Sequence, residues 1–229
     1  MPGRSEVESS RKGEETRTRI LEAALGLFRE KGFETATMRD IAEAAGLATG
    51  AAYYYFPSKD SIVLEFYERA SAEMQTKLDD ALVDVNGLEH RLREVIRVKL
   101  NHFTPNRGVL RALLRNGADP KYPLSPFSVQ TKEIRDVDIA RFRTILVDCG
   151  MKIPKDIEPH LPGILWFFQM GMILFWVIDE SPGQQRTDQL LGLASKSVAF
   201  LVRVSTLPLM RPVRKAALEM VEIVSGTIF

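Results

Sequence analysis

The sequence predicts an all-α chain, with a small N-terminal helix-turn-helix domain followed by a larger helical bundle. Three observations carry this reading. Apolar residues recur at i, i+3, i+4 and i+7 almost from end to end. Glycine and proline punctuate these runs at helix-length intervals, and no two stretches alternate well enough to pair as strands. With 229 residues, 45% apolar and 27% charged, the chain can bury a sizeable core without covalent staples.

Residues 1–15 are charged, carry Ser and Gly, and lack an apolar period, so they read as a mobile arm. From Glu15 the pattern turns helical through Ile20, Ala23, Ala24, Leu27 and Phe28, and Gly32 suits a left-handed stop. Thr37, with Asp40 three residues on, starts a short helix whose inner face is Ile41, Ala42 and Ala45, ending at Gly46. Another runs from near Thr49 to Phe56 and stops at Pro57. Ser58 can then cap a long helix through Ile62, Phe66, Met74, Leu78 and Leu82.

Beyond Asn86-Gly87, Leu92, Val95, Ile96, Leu100 and Phe103 form one stripe, and Val109, Leu110, Leu113 and Leu114 a short successor. Residues 117–128 hold Pro120, Pro123 and Pro126 and read as a loop. Helices are expected over roughly 130–149, from about Pro162 to Ile178, through Leu190–Val202, and after Pro212. The domains expected are 1–15 (arm), 16–62 (helix-turn-helix) and 63–229 (bundle).

Composition excludes several functional classes. The single Cys149 rules out an internal disulfide framework and a multi-thiolate metal cluster. His90, His102 and His160 lie far apart, so neither a metal nor another cofactor is expected. No nucleophile–base pair, Gly-rich phosphate loop or metal spacing suggests an enzyme. The polar start lacks the apolar segment of a secretory signal, which points to the cytoplasm. Net charge is +1, and the first sixty residues hold nine cations against ten acids, so a case for nucleic acid rests on placement.

That placement is informative. Two short helices joined by a turn at Gly46 and stacked on a first helix make the helix-turn-helix plan, whose second helix enters the major groove of DNA. Gly50, Ala51 and Ala52 keep its leading end slim. Tyr53, Tyr54 and Tyr55 spread around the helix, so at most two face inward and the rest present hydroxyls able to donate to phosphate. Lys59 sits in the first turn of the next helix, where ammonium and helix-end amides together could hold a phosphate. Each tyrosine alone reads equally as a packing residue, and Lys59 as a solvated charge. Arg11, Lys12, Arg17 and Arg19 read either as extra phosphate contacts or as a solvated helix start.

Residues 35–62, TATMRDIAEAAGLATGAAYYYFPSKDSI, resemble the N-terminal signature of the TetR family of transcriptional regulators, a Thr, an I-A-x-x-A-G turn, Y-x-[YH]-F and S-K. Thr37, Ile41, Ala42, Ala45, Gly46, Gly50, Tyr53, Tyr55, Phe56, Ser58, Lys59 and Ile62 carry it. The resemblance implies a homodimer that binds a double-stranded DNA operator of two half-sites, represses, and senses a small-molecule effector in its C-terminal domain. It also implies that Thr37, Tyr53, Tyr55 and Lys59 contact phosphates, that Thr49, Gly50, Ala51 and Tyr54 lie in the groove, and that Arg39 reaches a base edge or phosphate. Ala48 stands where the family usually has Ser, leaving Thr49 as the alternative cap. Ala52 replaces a larger apolar residue.

Leu161–Ile178 carries no charge, and Gln169 is its one strongly polar residue. Its length meets the minimum for a membrane span, but acids flank it and no cation is adjacent, so a buried helix is expected and no membrane partner. In TetR-like proteins the last two long helices of the body form the dimer interface, which implies Phe168, Phe175, Leu191 and Val198 there. His102, Phe103, Phe142, Trp166, Phe167 and Met170 are the residues expected to line an apolar or aromatic effector's pocket. Two alternatives are a helical interaction protein that no longer binds DNA and a single-span membrane-associated sensor.

Overall fold

Capping side chains and glycines set the helix ends of the N-terminal half. In the computed structural model, which describes residues 4–228, α1 (Arg4–Lys31) stops where Gly32 turns at φ +88°. Thr37 caps α2 (Met38–Ala44) reciprocally: its hydroxyl accepts from the Asp40 amide at 3.2 Å, and the Asp40 carboxylate accepts from the Thr37 amide at 3.0 Å. Gly46, at φ +66°, makes the turn into α3 (Thr49–Tyr55), which Pro57 separates from α4 (Lys59–Leu82). Ser58 and Ser61 cap α4 in the same reciprocal way.

The remainder comprises α5 (Leu88–Phe103), α6 (Arg107–Leu113), α7 (Lys132–Asp148), α8 (Leu161–Ile178), α9 (Gln185–Ser205) and α10 (Arg211–Ile228), with no strand among the described residues. The expected all-α class and element order therefore stand. The proline-bearing loop between α6 and α7 is pinned by buried hydroxyls: Ser125 donates to the Gly117 carbonyl at 2.6 Å and Thr131 to the Ser125 carbonyl at 2.7 Å.

One core joins Ile20, Ala24 and Phe28 of α1 to Ile41, Ala52, Phe56, Ile62 and Phe66. It is not closed by residues 16–62 alone, because Val109 and Leu113 of α6 and Leu124 of the loop are part of it. A second core gathers Met74, Leu78 and Leu82 of α4 with Leu92, Phe142, Ile145, Leu165 and Trp166. A third packs Ile96, Leu100 and Leu110 against Met172, Trp176, Val177 and Leu191.

Three expectations need correction. Residues 4–15 extend α1 by three turns instead of forming an arm; near the junction with the rest of α1, Arg11 pairs with Glu15 one turn on at 3.4 Å, and Thr16 donates back to the Lys12 carbonyl. Residues 1–3 lie outside the described part. Thr49 does not cap α3; Ala48 occupies the cap position and has no side chain able to accept. Leu191 is 2% exposed within one chain and so does not project toward a partner, while Val198 is half-buried against the second core. Helix α8 is long and apolar enough to cross a membrane, yet Leu161, Leu165, Trp166, Gln169, Met172, Trp176 and Val177 are packed inside the bundle. It is a core helix with one outward row, Gly171, Leu174 and Ile178.

A charged clamp holds α1 to α4. Glu65 accepts from Arg17 and, at 2.8 Å, from Arg69, which also donates to Thr18 at 2.7 Å and to Glu14 at 2.5 Å. Arg17 reaches on to the Tyr55 carbonyl at 3.4 Å and covers the Phe56 ring, so the clamp also seats the end of α3. Burial works against the charge on Glu65, but hydrogen bonds from Arg17 and Arg69 outweigh it and hold the carboxyl below its ordinary 4.5. A depressed carboxylate gives stability that is complete above the unfolded value and lost as pH falls through the folded one. Glu65→Gln is therefore expected to cost about 1–2 kcal/mol in urea unfolding at pH 7. The gap between variant and parent should close on acidification below pH 4.5.

Candidate nucleic-acid interface and internal cavity

Helix α3 stands on Ala52, which is fully buried, and on half-buried Tyr55. A larger residue at 52 would lift the helix from α2. The opposite side carries Thr49 and Gly50, both exposed, with Tyr53 at 51% and Tyr54 at 84% exposure. Tyr54 meets Tyr55 edge-on at 5.3 Å between ring centres, which fixes its ring without burying it. Ala51 is half-buried beside them. Phenols held this far out of a core cost hydrophobic surface, and they offer a row of hydroxyl donors instead.

Thr37 and Arg39, at the start of α2, are also exposed. The Thr37 hydroxyl accepts within the cap and keeps its own proton to donate. Arg39 makes no hydrogen bond or ion pair among the described residues. Helix α3 contains no charged side chain of either sign, so nothing on it repels a phosphate. Thr37, Arg39, Thr49, Gly50, Tyr53 and Tyr54, on the packed pair α2 and α3 and at the cap of α2, are thus all exposed, while Ala51 and Tyr55 are partly covered.

Lys59 departs from the expectation. Its ammonium donates to the carbonyls of Phe33 at 2.6 Å and Glu34 at 3.2 Å, and sits 4.7 Å from the centre of the Phe33 ring. Two of its three protons are committed to tying the start of α4 to the α1–α2 turn. The sequence could not show this, because carbonyls 25 and 26 residues away attract an ammonium as a phosphate does.

Inside the bundle lies a cavity of about 140 Å³, walled by α4, α5, α6, α7 and α8. Of the expected lining residues, Phe103, Trp166 and Met170 reach it. Phe142 does not, being wholly buried in the second core; Phe167 stacks on Phe127 instead; His102 faces Lys77 at 2.8 Å on the surface side. Burial, and then the Lys77 charge, push the His102 imidazole below its ordinary 6.5, which keeps it neutral at pH 7. Among the apolar walls stand buried Lys99, Arg135, Asp138 and Gln169. Asp138 accepts from Lys99 at 2.5 Å and from the Gln169 amide nitrogen at 2.8 Å. Arg135 donates to the carbonyls of Pro126 and Ser128 and lies 6.0 Å from the Trp166 ring centre. Sequence reasoning noted Gln169 as the polar exception in α8, and that exception was the signal for this cluster. A wider hollow of about 460 Å³ lies over the α7–α8 loop, but mostly exposed residues such as Arg143, Lys152 and Glu158 surround it.

Residues 20–66 match the family model for bacterial regulatory proteins of the tetR family, and residues 91–219 match the tetracyclin repressor-like C-terminal domain. The chain is 49% identical over 49 residues to the HTH-type transcriptional repressor KstR2 of Rhodococcus jostii (strain RHA1), 21% of this chain and 24% of that protein. It is 38% identical over 68 residues to the HTH-type transcriptional regulator UidR of Escherichia coli (strain K12), 28% of this chain and 35% of that protein. These alignments span about a quarter to a third of the relatives' lengths. A tetR-family transcriptional regulator from Streptomyces coelicolor has a similar fold, with TM-score 0.63, 21% identity, and 90% of this chain and 89% of that one covered. The regulator PfmR from Thermus thermophilus aligns with TM-score 0.54 at 27% identity, covering 79% of this chain and 97% of that one.

Lys59→Met is expected to lower stability by about 1–2 kcal/mol, since it strands the part-buried Phe33 carbonyl and loosens the α1–α2 turn. Thermal unfolding checks this. An unchanged midpoint would mean that the lysine does not hold the α1–α2 turn.

Proposed function

The chain belongs to the tetR family of bacterial regulatory proteins, and we propose that it is a sequence-specific DNA-binding transcriptional repressor. The observation that carries the proposal is the exposed end of α3, where Tyr53 and Tyr54 stand out of the core beside Thr49 and Gly50. In this reading α3 enters the major groove, Tyr53, Thr37 and Arg39 contact the backbone, and Tyr54, Thr49, Gly50 and Ala51 meet base edges. Tyr55 and Lys59 serve mainly to seat α3 and α4, with one ammonium proton of Lys59 left for a phosphate. The working partners are an operator, a second copy of the chain and a small apolar effector, and the working compartment is the cytoplasm. The reading assigns the chain no catalytic reaction.

The dimer surface in this proposal is the outward row of α8, with Leu174 at 51% and Ile178 at 55% exposure, continued on α9 by Leu193 at 69%, Phe200 at 62% and Leu201 at 61%. Phe168 and Phe175 flank it, half-buried. So many large apolar side chains on adjoining helices exceed what an isolated surface normally exposes. A two-fold pairing of these rows would carry two copies of α3 to successive turns of one DNA face. The effector belongs in the cavity beneath α6, and residues 16–62 and 63–229 are the reading and sensing units.

Tyr54→Ala is expected to weaken binding to DNA flanking the protein's own gene about tenfold or more in gel shifts, with the thermal midpoint unchanged. Equal affinity in a folded variant would remove α3 as the reading helix. Leu193→Glu is expected to give a folded monomer by sedimentation velocity. Leu191→Glu, by contrast, should unfold the chain, because that residue is 2% exposed in one subunit.

A further inference from the structure

The cavity wall contains one polar atom that the protein does not satisfy. Gln169 is wholly buried, and its Oε1 has no hydrogen-bond partner among the described residues. The orientation of the amide is not arbitrary. Its nitrogen must face Asp138, since turning the group over would set oxygen against a carboxylate oxygen. Asp138 is itself engaged twice, by Lys99 and by Gln169, and cannot relieve Oε1. Gln169 lines the cavity, so a donor on an occupant is the partner left for its carbonyl oxygen.

Size and chemistry narrow the occupant. A volume of about 140 Å³ is close to that of apolar protein cavities that take up benzene, roughly 150 Å³. Phe103, Leu110, Leu113, Trp166 and Met170 supply an apolar surround for one six-membered ring. An unmet acceptor selects a hydrogen-bond donor over a hydrocarbon or an ether. We propose that the ligand of this cavity is a single-ring apolar molecule bearing a hydroxyl, of the phenol class, whose O–H donates to Gln169 Oε1. The proposal rests on the reading of the chain as an effector-sensing regulator.

Calorimetry on the full-length protein with four probes tests it: 4-methylphenol, toluene, 4-methylanisole and 4-methylbenzoate. The phenol is expected to bind at least tenfold more tightly than toluene, which lacks the hydroxyl, and than the methyl ether, which keeps the oxygen but cannot donate. In Gln169→Met the phenol's advantage over toluene should fall below twofold while toluene affinity holds. If that variant does not fold, the four-probe series on the parent protein decides alone. Equal affinities for phenol and ether, tighter binding of the benzoate, or no binding by any probe would each overturn the ligand class. A phenol that binds as expected but leaves operator affinity unchanged would instead overturn the sensor reading and leave the ligand class standing.

Discussion

Helix α4 belongs to two hydrophobic cores at once, and the arrangement of the whole molecule depends on that sharing. Its first turns bury Ile62, Val63 and Phe66 with α1, α2 and α3, and its last turns bury Met74, Leu78 and Leu82 with α5, α7 and α8. At 1.5 Å per residue the helix runs about 36 Å. Close-packed interiors transmit displacement instead of absorbing it, so α3 cannot reorient without α4 shifting in the bundle. The ties at its N-terminal end reinforce this. Ser58 fixes the first turn, Lys59 grips the α1–α2 turn, and Glu65 with Arg17 binds α1 and the last carbonyl of α3.

The same constraint explains which parts were legible in the sequence. Thr37 with Asp40, Gly32, Gly46 and Ser58 act within three or four residues of themselves, so spacing alone locates the end of α1, both ends of α2 and the start of α4. The apolar period likewise gives every later helix. Where two faces of one helix are apolar, period stops discriminating. Leu191 and Leu201 fall in the one apolar stripe the sequence predicts for α9, yet one is buried in the third core while the other is exposed. Only the packing angle of α9 on α5 and α8 separates them. The cavity cluster was harder still, since Lys99 and Asp138 lie 39 residues apart and Asp138 and Gln169 lie 31 apart. Phe142 and Phe167 failed as lining residues for the same reason, because aromatic character says what fills space but not which space.

Helix α6 is where cavity and reading unit meet. Leu110, Leu113 and Leu114 form part of the cavity wall, while Val109 and Leu113 belong to the core beneath α1. Just ahead of it, Asn106 accepts from Arg29 of α1 at 2.9 Å. Arg107 donates to the carbonyls at the end of α8, those of Trp176 at 3.0 Å and Asp179. Phe103 adjoins all three cores and also borders the cavity. The N-terminal end of the short helix is therefore tied both to the end of α8 and to α1.

This geometry sets what an occupant of the cavity can do. A molecule that fills it without strain leaves α6 where it is and stabilises the arrangement already present. One slightly too large must push on a wall, and the walls are unequal. On the side of α5, α7 and α8 stand Lys99, Asp138 and Gln169, locked together by charged hydrogen bonds that cost much to break in a buried site. On the α6 side stand leucines, which yield by sliding. In the proposed sensor, displacement would be directed toward α6, hence toward Val109 and Leu113, which share a core with α1 and the start of α4. The effect on DNA affinity equals the difference in how well the ligand fits the two arrangements, and no more. In the proposed sensor, a buried polar cluster on one side of the cavity would serve two ends: it would select the ligand's head group, and it would leave the opposite, apolar wall as the one to move.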